Sequence, residues 1–113
     1  MHELSLAENA IAIIEDAARR ECFARVRIVR VELGALSCVE PEALRFAFAS
    51  ASLGSCAEGA RLEILAVAGE GLCEACGARA PMETVYDLCP RCGIRPLKVL
   101  CGAEMRIRDL DVE

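Results

Sequence analysis

Apolar residues near the start of the chain recur at intervals of three and four positions, which is the spacing of one helix face. Residues 5–20 are therefore predicted to form an amphipathic helix. Ser5 and Glu8 have the spacing of a capping box, so we expect the helix to begin at Ser5. Arg19 and Arg20 suit the C-terminal end of the helix dipole. The inward face is predicted to consist of Leu4, Ala7, Ile11, Ile14 and Ala18.

Three other segments alternate between apolar and polar residues, as strands with one buried face do. In the first of them the alternation slips by one position at Ile28-Val29, which is typical of a bulge or of a strand that begins later. Gly34 is expected to end this first strand. The predicted strands are residues 26–33, 61–67 and 103–110.

A second helix is predicted between the first two strands, over residues 41–51. Pro41 stands at its first turn, where the missing proline N–H costs no helical hydrogen bond. Phe46 falls outside the apolar face of this helix. That face is predicted to consist of Leu44, Ala47, Phe48 and Ala51.

The order of elements is helix, strand, helix, strand, a cysteine-rich insert and a final strand. Two helices that cover one face of a small sheet would bury both apolar helix faces. We therefore expect an α+β fold, with two helices packed on a small three-stranded sheet and an inserted lobe that is similar to a zinc ribbon. Residues 1–70 and 99–113 are expected to form one α/β domain, and residues 71–98 the inserted lobe.

The composition favours a packed domain and argues against nucleic-acid and membrane surfaces. The chain has 113 residues, 55% of them apolar, and a net charge of −5. It therefore lacks the basic excess that non-specific binding to nucleic acid or to an anionic membrane requires. No apolar run approaches the roughly 18 residues of a membrane span. The first residues also lack the pattern of a secretory signal, so we expect a cytoplasmic protein.

Four of the eight cysteines form two Cys-x-x-Cys-Gly pairs. In a reducing compartment such pairs favour metal ligation over disulfides. Two thiolates at this spacing can both reach one ion at about 2.3 Å, and the following glycine permits a left-handed turn. Four thiolates suit zinc, or iron in a rubredoxin-like site. The predicted ligands are Cys73, Cys76, Cys89 and Cys92.

A shell of four sulfurs leaves no open position for water or substrate, so the predicted role of this metal is structural. Zinc is the preferred ion, because so short a lobe cannot fold on its own apolar burial and structural zinc supplies about 10–16 kcal/mol. An iron site and a redox-active dithiol stay open as alternatives. The remaining cysteines lack paired spacing, and each is interpreted as a small buried apolar residue. They are Cys22, Cys38, Cys56 and Cys101.

The only histidine of the chain, His2, stands beside the amino terminus. The terminal amine of Met1 and the amide nitrogen of His2 can close a five-membered chelate ring on a metal, and the His2 imidazole then closes a six-membered ring. Glu3 can supply a fourth ligand through its carboxylate or its amide nitrogen. Such a planar, nitrogen-rich set suits nickel(II) or copper(II). The simpler interpretation, a polar residue without a metal, stays open at this point.

The chain resembles the HypA family of hydrogenase nickel-incorporation factors over essentially its whole length. The resemblance rests on MHE at the start and the helix after it, the segment VELGALSCVEPEALRFAF, the segment EGARLEI, the two Cys-x-x-Cys pairs and the closing GAEMRI. The opening MHE together with the cysteine pairs, in a chain of this length, is the decisive combination.

The resemblance implies a metallochaperone and not an enzyme. Proteins of this family deliver nickel to the large subunit of NiFe-hydrogenase together with the GTPase HypB, and some also serve urease. Carried over residue by residue, the transferred nickel(II) falls on the Met1 amine, His2 and Glu3. The structural zinc(II) falls on the four paired cysteines.

The same resemblance makes residues 1–70 and 99–113 the nickel-binding domain, and residues 71–98 the zinc-binding lobe. Glu40 occupies a position where some relatives hold an acid near the nickel site. We expect it to support the nickel ligands at most, because a glutamate before Pro41 also suits a helix start.

Two other function classes fit the chain less well. The alternative function is a zinc-ribbon module that binds nucleic acid or protein, but residues 73–98 carry four basic against three acidic residues and only Tyr86 for base stacking. A dithiol enzyme would need one exposed cysteine of low pKa in a strand-to-helix turn. The sequence leaves the oligomeric state open between a monomer and a weak homodimer.

Overall fold

The computed structural model describes residues 2–94 and 96–113. Its helices are α1 (His2–Glu21), a short 3-10 helix (Ala35–Ser37) and α2 (Pro41–Ala51). Its strands are β1 (Val26–Gly34), β2 (Arg61–Val67), β3 (Gly69–Leu72), β4 (Arg79–Met82), β5 (Lys98–Cys101) and β6 (Met105–Val112).

The strands form two three-stranded sheets. The first has the order β2-β1-β6 and consists of the three strands that the alternating pattern predicts. The second has the order β4-β3-β5, with β3 antiparallel to both neighbours, and lies in and at the borders of the predicted insert. The predicted α+β fold is confirmed, and the second sheet is an addition to it.

Helix α1 begins at His2, so the predicted start at Ser5 was wrong. Ser5 lies about one turn inside the helix, on an exposed position. The acidic Glu3 lies in the first turn, where a negative charge stabilises the backbone N–H groups that have no acceptor within the helix. This stabilisation favours a helix that begins before the capping-box pattern. The inner face also differs from the prediction, because Ala10 is buried whereas Leu4 is 44% exposed.

Helices α1 and α2 pack against each other. Small buried side chains on α1, Ala7 and Ala10, suit a close approach of the two helices, and Leu44 and Phe48 on α2 are almost completely buried. Phe46 is exposed, as its position outside the apolar face predicts. Among the residues that the structure describes, neither helix is long and apolar enough to cross a membrane.

Contacts divide the chain into two units. The first, here called the helical unit, comprises the chain up to Val31, Val39–Leu65 and Arg106–Glu113. The second, here called the cysteine unit, comprises Glu32–Cys38 and Ala66–Met105. The cysteine unit extends beyond residues 71–98, because the end of β1 and the segment before β6 pack within it.

Within the helical unit, one arginine joins three strands. Arg30 on β1 contacts Glu63 on β2 through Nε and Oε1 at 3.0 Å, and Asp109 on β6 through Nη1 and Oδ1 at 2.8 Å. All three side chains are partly exposed, so solvent screens both ion pairs and weakens them. The pairs nevertheless favour the order in which β1 lies between β2 and β6.

The cysteine unit has a small core around the cysteine pairs. Leu36, which follows β1, packs into this core, and its backbone N–H donates to Gly102 O at 2.8 Å. A Cβ on Gly34 would stand 2.1 Å from the same oxygen, so glycine is needed for this approach. The buried members of the core are Leu36, Cys73, Ala80, Met82, Cys89 and Leu97.

Candidate metal centres

The side chains of the four paired cysteines converge in the cysteine unit, and their Sγ atoms all lie within 4.8 Å of one another. Cys73 Sγ lies 3.6 Å from Cys92 Sγ, and Cys76 Sγ lies 3.6 Å from Cys89 Sγ. Four thiolates bound to zinc at about 2.3 Å stand about 3.8 Å apart at the corners of a tetrahedron. The donor atoms and their spacing therefore fit a tetrahedral, thiolate-bound metal.

Each Cys-x-x-Cys-Gly segment folds into a tight turn that directs both sulfurs to one point. In the first turn, Gly77 N–H donates to Cys73 O at 2.8 Å, and Cys76 N–H lies 3.4 Å from Cys73 Sγ. The corresponding distances in the second turn are 2.8 and 3.5 Å. The glycines that close the turns have φ of 77° and 67°, a left-handed conformation that glycine adopts without strain.

Hydrogen bonds to sulfur change the pKa values of these thiols in different directions. The backbone N–H of Cys76 lowers the pKa of Cys73, and the backbone N–H of Cys92 lowers the pKa of Cys89 to about 6. The backbone N–H of Ala78 also lowers the pKa of Cys76. Contacts with the Cys73 and Cys89 thiols outweigh this effect and raise the pKa of Cys76 to about 11. The two most buried thiols, Cys73 and Cys89, thus have lowered pKa values, which favours a cation between the sulfurs.

Over residues 2–94 and 96–113, these cysteines are the one group of three or more His, Cys, Asp or Glu side chains whose ligand atoms converge. Four sulfurs complete a tetrahedral shell and leave no position for a reacting molecule. The geometry therefore suits a resident ion and not a catalytic one.

The predicted nickel ligands lie at the start of α1. His2 is exposed, Glu3 is half-buried, and Met1 lies outside the described residues. Glu3 Oε2 lies 3.5 Å from the backbone nitrogen of Glu40, just before α2. Glu40 Oε2 in turn accepts a hydrogen bond from Ala43 N–H at 2.7 Å and caps α2. The structure thus brings Glu3 and Glu40 together and leaves the His2 side chain in solvent.

Two local properties matter for metal binding at this end of α1. Hydrogen bonds from its own backbone N–H and from that of Glu40 lower the pKa of Glu3, so its carboxylate is ionised at neutral pH. The first four N–H groups of a helix have no acceptor within the helix. The amide nitrogens of His2 and Glu3 can therefore bind a metal without the loss of a helical hydrogen bond.

The unpaired cysteines are not buried, so their interpretation as core residues was wrong. Cys22, Cys38 and Cys101 are exposed, and Cys56 is half-buried. Cys22 and Cys38 have φ of 59° and 60° at the positions directly after α1 and the 3-10 helix. Burial raises the pKa of Cys56, and the nearby Glu15 carboxylate raises it further.

One protein-family model matches residues 1–112, and its description is "Hydrogenase/urease nickel incorporation, metallochaperone, hypA". Two curated relatives are both named Hydrogenase maturation factor HypA. The relative from Methylocella silvestris is 47% identical and the one from Albidiferax ferrireducens is 50% identical, and each match covers 100% of both chains.

Two solved structures share the fold. The solution structure of the Ni metallochaperone HypA from Helicobacter pylori has a TM-score of 0.76 at 24% identity, with 97% of this chain and 96% of that chain covered. The solution structure of a second HypA protein has a TM-score of 0.75 at 26% identity, with 100% and 97% covered. The chain described here belongs to the HypA family of hydrogenase and urease nickel-incorporation metallochaperones.

Proposed function

We propose that this protein carries nickel(II) as its cargo, binds it at the amino terminus, and delivers it to the large subunit of a NiFe-hydrogenase during maturation. The proposed ligands are the Met1 amine, His2 and Glu3. The observation that carries this proposal is the place of His2 and Glu3 in the first turn of α1, in a chain of a nickel-incorporation family. On this proposal the protein is a carrier and not an enzyme, and it acts in the cytoplasm.

The first residues of the chain offer nitrogen ligands in an order that suits an ion with planar coordination. The Met1 amine, the His2 amide nitrogen and the His2 imidazole are joined by five- and six-membered chelate rings, which suits nickel(II). The His2 side chain is already in solvent, so it needs no change in packing to reach an ion. All of these nitrogens must lose a proton to bind, so nickel affinity falls as the pH falls.

The contact between Glu3 and Glu40 is compatible with reversible binding of nickel by the Glu3 carboxylate. The Glu3 carboxylate is ionised and faces the backbone N–H of Glu40 across a long contact of 3.5 Å. A contact of this length is weak, so the contact with Glu40 does little to hold the carboxylate away from an ion. Ligands at a chain end can then be exchanged one by one with an acceptor protein.

Zinc(II) is the ion proposed for Cys73, Cys76, Cys89 and Cys92. Bound there, zinc supplies folding free energy and no chemistry, because its four positions are filled by sulfur. The core of the cysteine unit holds few large apolar side chains, and two of its buried members are themselves cysteine ligands. We infer that the protein needs this ion to keep the cysteine unit folded.

The proposed partners follow from the family. The GTPase HypB and the hydrogenase large subunit are the expected partners in nickel delivery, and urease maturation proteins are a second possible destination for the ion. The acceptor must come within ligand-exchange distance of His2. The N-terminal part of α1 and the Glu40 segment are therefore the surfaces that such a partner would cover.

Calorimetric titration with nickel tests this proposal on the protein with its native first residue. Acetylation of the Met1 amine keeps His2 chemically intact but removes the terminal amine from the chelate. We expect nickel affinity to fall at least about tenfold, which corresponds to about 1.4 kcal/mol. A matched control carries one extra glycine after Glu113, keeps its free amine, and should bind as the native chain does.

The outcome separates the possible ligand sets. Equal affinity in the native and acetylated proteins would show that the amine is not a ligand. No nickel binding by either protein would refute the carrier function altogether.

A further inference from the structure

The second half of helix α2 carries large apolar side chains on its solvent side as well as on its buried side. Phe46 is 79% exposed, and Leu53, two positions after the last helical residue, is 69% exposed. A surface helix normally presents polar and charged side chains to water, and a helix that is apolar all round is normally buried. The solvent side of α2 therefore has the character of a surface that is covered by another molecule.

Helix geometry places these side chains on one surface. Phe46 and Leu53 are seven positions apart, nearly two full turns, so they lie on the same side of the helix about 10 Å apart. The chain keeps its helical path toward Leu53, because Ser52 has φ of −79° and ψ of −11° and its N–H donates to Phe48 O at 2.9 Å. Two small exposed residues lie between them on the same side. We call Phe46, Ala49, Ser50 and Leu53 the outer face of α2.

The outer face points away from the core of the helical unit. Leu44 is two positions before Phe46, about 200° around the helix, and it is 1% exposed. Phe48 is almost completely buried on the same side as Leu44. The packing of α2 on its own unit thus uses the opposite side of the helix and leaves the outer face in solvent.

The outer face carries no charge. Residues 46–57 include no Asp, Glu, Lys or Arg, in a chain in which 27% of the residues are charged. The two charged residues of α2 pair with each other, since Arg45 Nε lies 3.3 Å from Glu42 Oε2. Arg45 Nη1 also donates to Leu62 O, so this side chain is directed toward β2. A partner that covers the outer face must therefore bind through apolar contacts.

The side-chain sizes along the outer face are symmetric. A large side chain stands at each end, Phe46 and Leu53, and the small Ala49 and Ser50 stand in the middle. A second copy of α2 that runs antiparallel would place Phe46 of one copy against Leu53 of the other at both ends. The small residues would meet at the two-fold axis, where the two helices approach most closely. The outer face is thus complementary to itself.

One acidic side chain favours the antiparallel direction. Glu58 Oε1 accepts the Gly54 N–H at 2.7 Å, which places this carboxylate at the Leu53 end of the outer face. A parallel pair of helices would bring the two Glu58 carboxylates together, and like charges that meet across an interface are destabilising. An antiparallel pair separates them and brings each to the end where the other copy has its paired Glu42 and Arg45.

We propose that the outer face of α2 is the contact between two copies of this chain in a weak, antiparallel, two-fold dimer. An uncharged face of symmetric size can meet its own copy without opposing like charges. One short helix from each copy makes a smaller interface than the roughly 1,200 Å² of stable complexes, so we expect a dissociation constant on the order of 0.1 mM. The dimer needs no nickel, and the proposal does not rest on the proposed carrier function.

Two other occupants suit the outer face less well. Binding to an anionic membrane requires lysines and arginines beside the apolar side of a helix, and residues 46–57 have none. A charged peptide would find no charge on the outer face with which to pair. The absence of charge and the symmetry of size together favour a second copy.

The test uses the full-length protein with the metal it carries when purified and without added nickel. Sedimentation velocity is measured over a concentration range centred on about 0.1 mM, and we expect a shift from monomer to dimer across that range. Amide spectra recorded by nuclear magnetic resonance over the same range should change with concentration at Phe46, Ala49, Ser50 and Leu53.

Variants then show whether the outer face is responsible. The double variant Phe46→Glu with Leu53→Glu places like charges on both sides of the contact and should weaken self-association at least about tenfold. The matched control, Asn9→Glu with Ile13→Glu, adds the same charge at exposed positions of α1 and should dimerise as the native chain does. Circular dichroism and elemental analysis first show that each variant keeps its helices and its metal.

A second double variant tests the direction of the helices. In Phe46→Glu with Leu53→Lys, an antiparallel pair places each new carboxylate against the new ammonium group of the other copy. This variant should therefore self-associate more tightly than the first double variant, and added salt should reduce the difference. Equal weakening in both double variants would contradict the antiparallel contact.

Three further results would overturn the proposal. A monomer at every concentration would remove the dimer. Self-association that persists in Phe46→Glu with Leu53→Glu would place the contact on another surface. Binding of the native chain to vesicles of phosphatidylcholine and phosphatidylglycerol, lost in the same variant, would show that the outer face meets a membrane.

Discussion

The helical unit and the cysteine unit are each stabilised internally in a different way. In the helical unit, apolar side chains from two helices and from the sheet fill the core, among them Ile14, Val29, Leu44 and Phe48. The core of the cysteine unit is small, and Cys73 and Cys89 are part of it. Where apolar burial is scarce, ligands to an ion must supply what the core lacks.

The same contrast separates the two candidate metal sites. The four sulfurs converge inside a folded unit, so an ion among them is enclosed by the structure that it stabilises. His2 and Glu3 lie in the first turn of α1 and the His2 side chain is exposed, so an ion bound there as proposed could come and go. A resident ion and a transferred ion thus call for opposite surroundings, and this chain offers both.

The largest expected effect is loss of the resident metal. Cys89→Ser removes a buried ligand, and we expect the protein to lose the metal together with most of the roughly 10–16 kcal/mol that such an ion contributes. Elemental analysis and amide hydrogen exchange measure the two losses. Exchange should become fast in β3, β4 and β5, whereas α1 and α2 should remain helical.

Cys101→Ser is the matched control, because Cys101 is exposed and unpaired. It should keep the metal and the exchange pattern of the native protein. A fully metal-loaded and protected Cys89→Ser protein would break the contrast between the two units.

The next effect concerns the apolar core of the helical unit. Leu44 is 1% exposed and Phe46, on the same helix, is 79% exposed. Leu44→Ala should lower the free energy of unfolding by about 2–5 kcal/mol through the cavity it leaves. Phe46→Ala should change it by less than about 0.5 kcal/mol. Urea denaturation followed by circular dichroism of the helices measures both, and similar values for the two variants would contradict the assigned packing.

A smaller effect distinguishes the cap of α2 from a metal ligand. Glu40→Ala removes the acceptor of the Ala43 N–H, so the free energy of unfolding should fall by about 1 kcal/mol. The Glu3 carboxylate contacts Glu40 through the backbone nitrogen of Glu40, and that group survives the substitution. Nickel affinity should therefore change less than about threefold, or about 0.7 kcal/mol.

The control for this variant is Glu42→Ala, which removes an exposed acid from the first turn of α2 without loss of the cap. Denaturation and nickel titration are measured on both variants. A loss of nickel affinity of tenfold or more in Glu40→Ala alone would make its carboxylate a ligand.

The smallest effect separates the unpaired cysteines. Burial and the Glu15 carboxylate raise the pKa of Cys56, so less thiolate is present at a given pH. Cys56 should therefore be alkylated more slowly than the exposed Cys22 and Cys101. Mass spectrometry of the protein during reaction with iodoacetamide gives the three rates. Modification of Cys56 before the other two would contradict its placement beside Glu15.

The sequence was informative where a pattern repeats. Alternation, with one slip in the first strand, identified all three strands of the first sheet, and helical spacing with Pro41 identified α2 to the residue. The repeated Cys-x-x-Cys-Gly spacing predicted which four of the eight cysteines would converge. Each of these patterns is imposed by local geometry, so the residues that carry it can be read without the rest of the fold.

The features that the sequence did not predict are those that no local sequence pattern specifies. Strand β3 reads Gly-Glu-Gly-Leu and β4 reads Arg-Ala-Pro-Met, so neither has the β-branched alternation of a typical strand. Each forms because its neighbours supply hydrogen bonds. Single cysteines such as Cys22 carry no periodicity, and their exposure depends on how nearby elements end.

Nickel is proposed to bind at the amino terminus and not among the cysteines. X-ray absorption at the nickel edge tests this directly, on protein that has its resident metal and one equivalent of nickel. We expect four nitrogen or oxygen ligands, with a strong imidazole signal that His2→Ala removes, and no sulfur at about 2.2–2.3 Å. Sulfur bound to nickel would contradict the account and place the cargo among the cysteines.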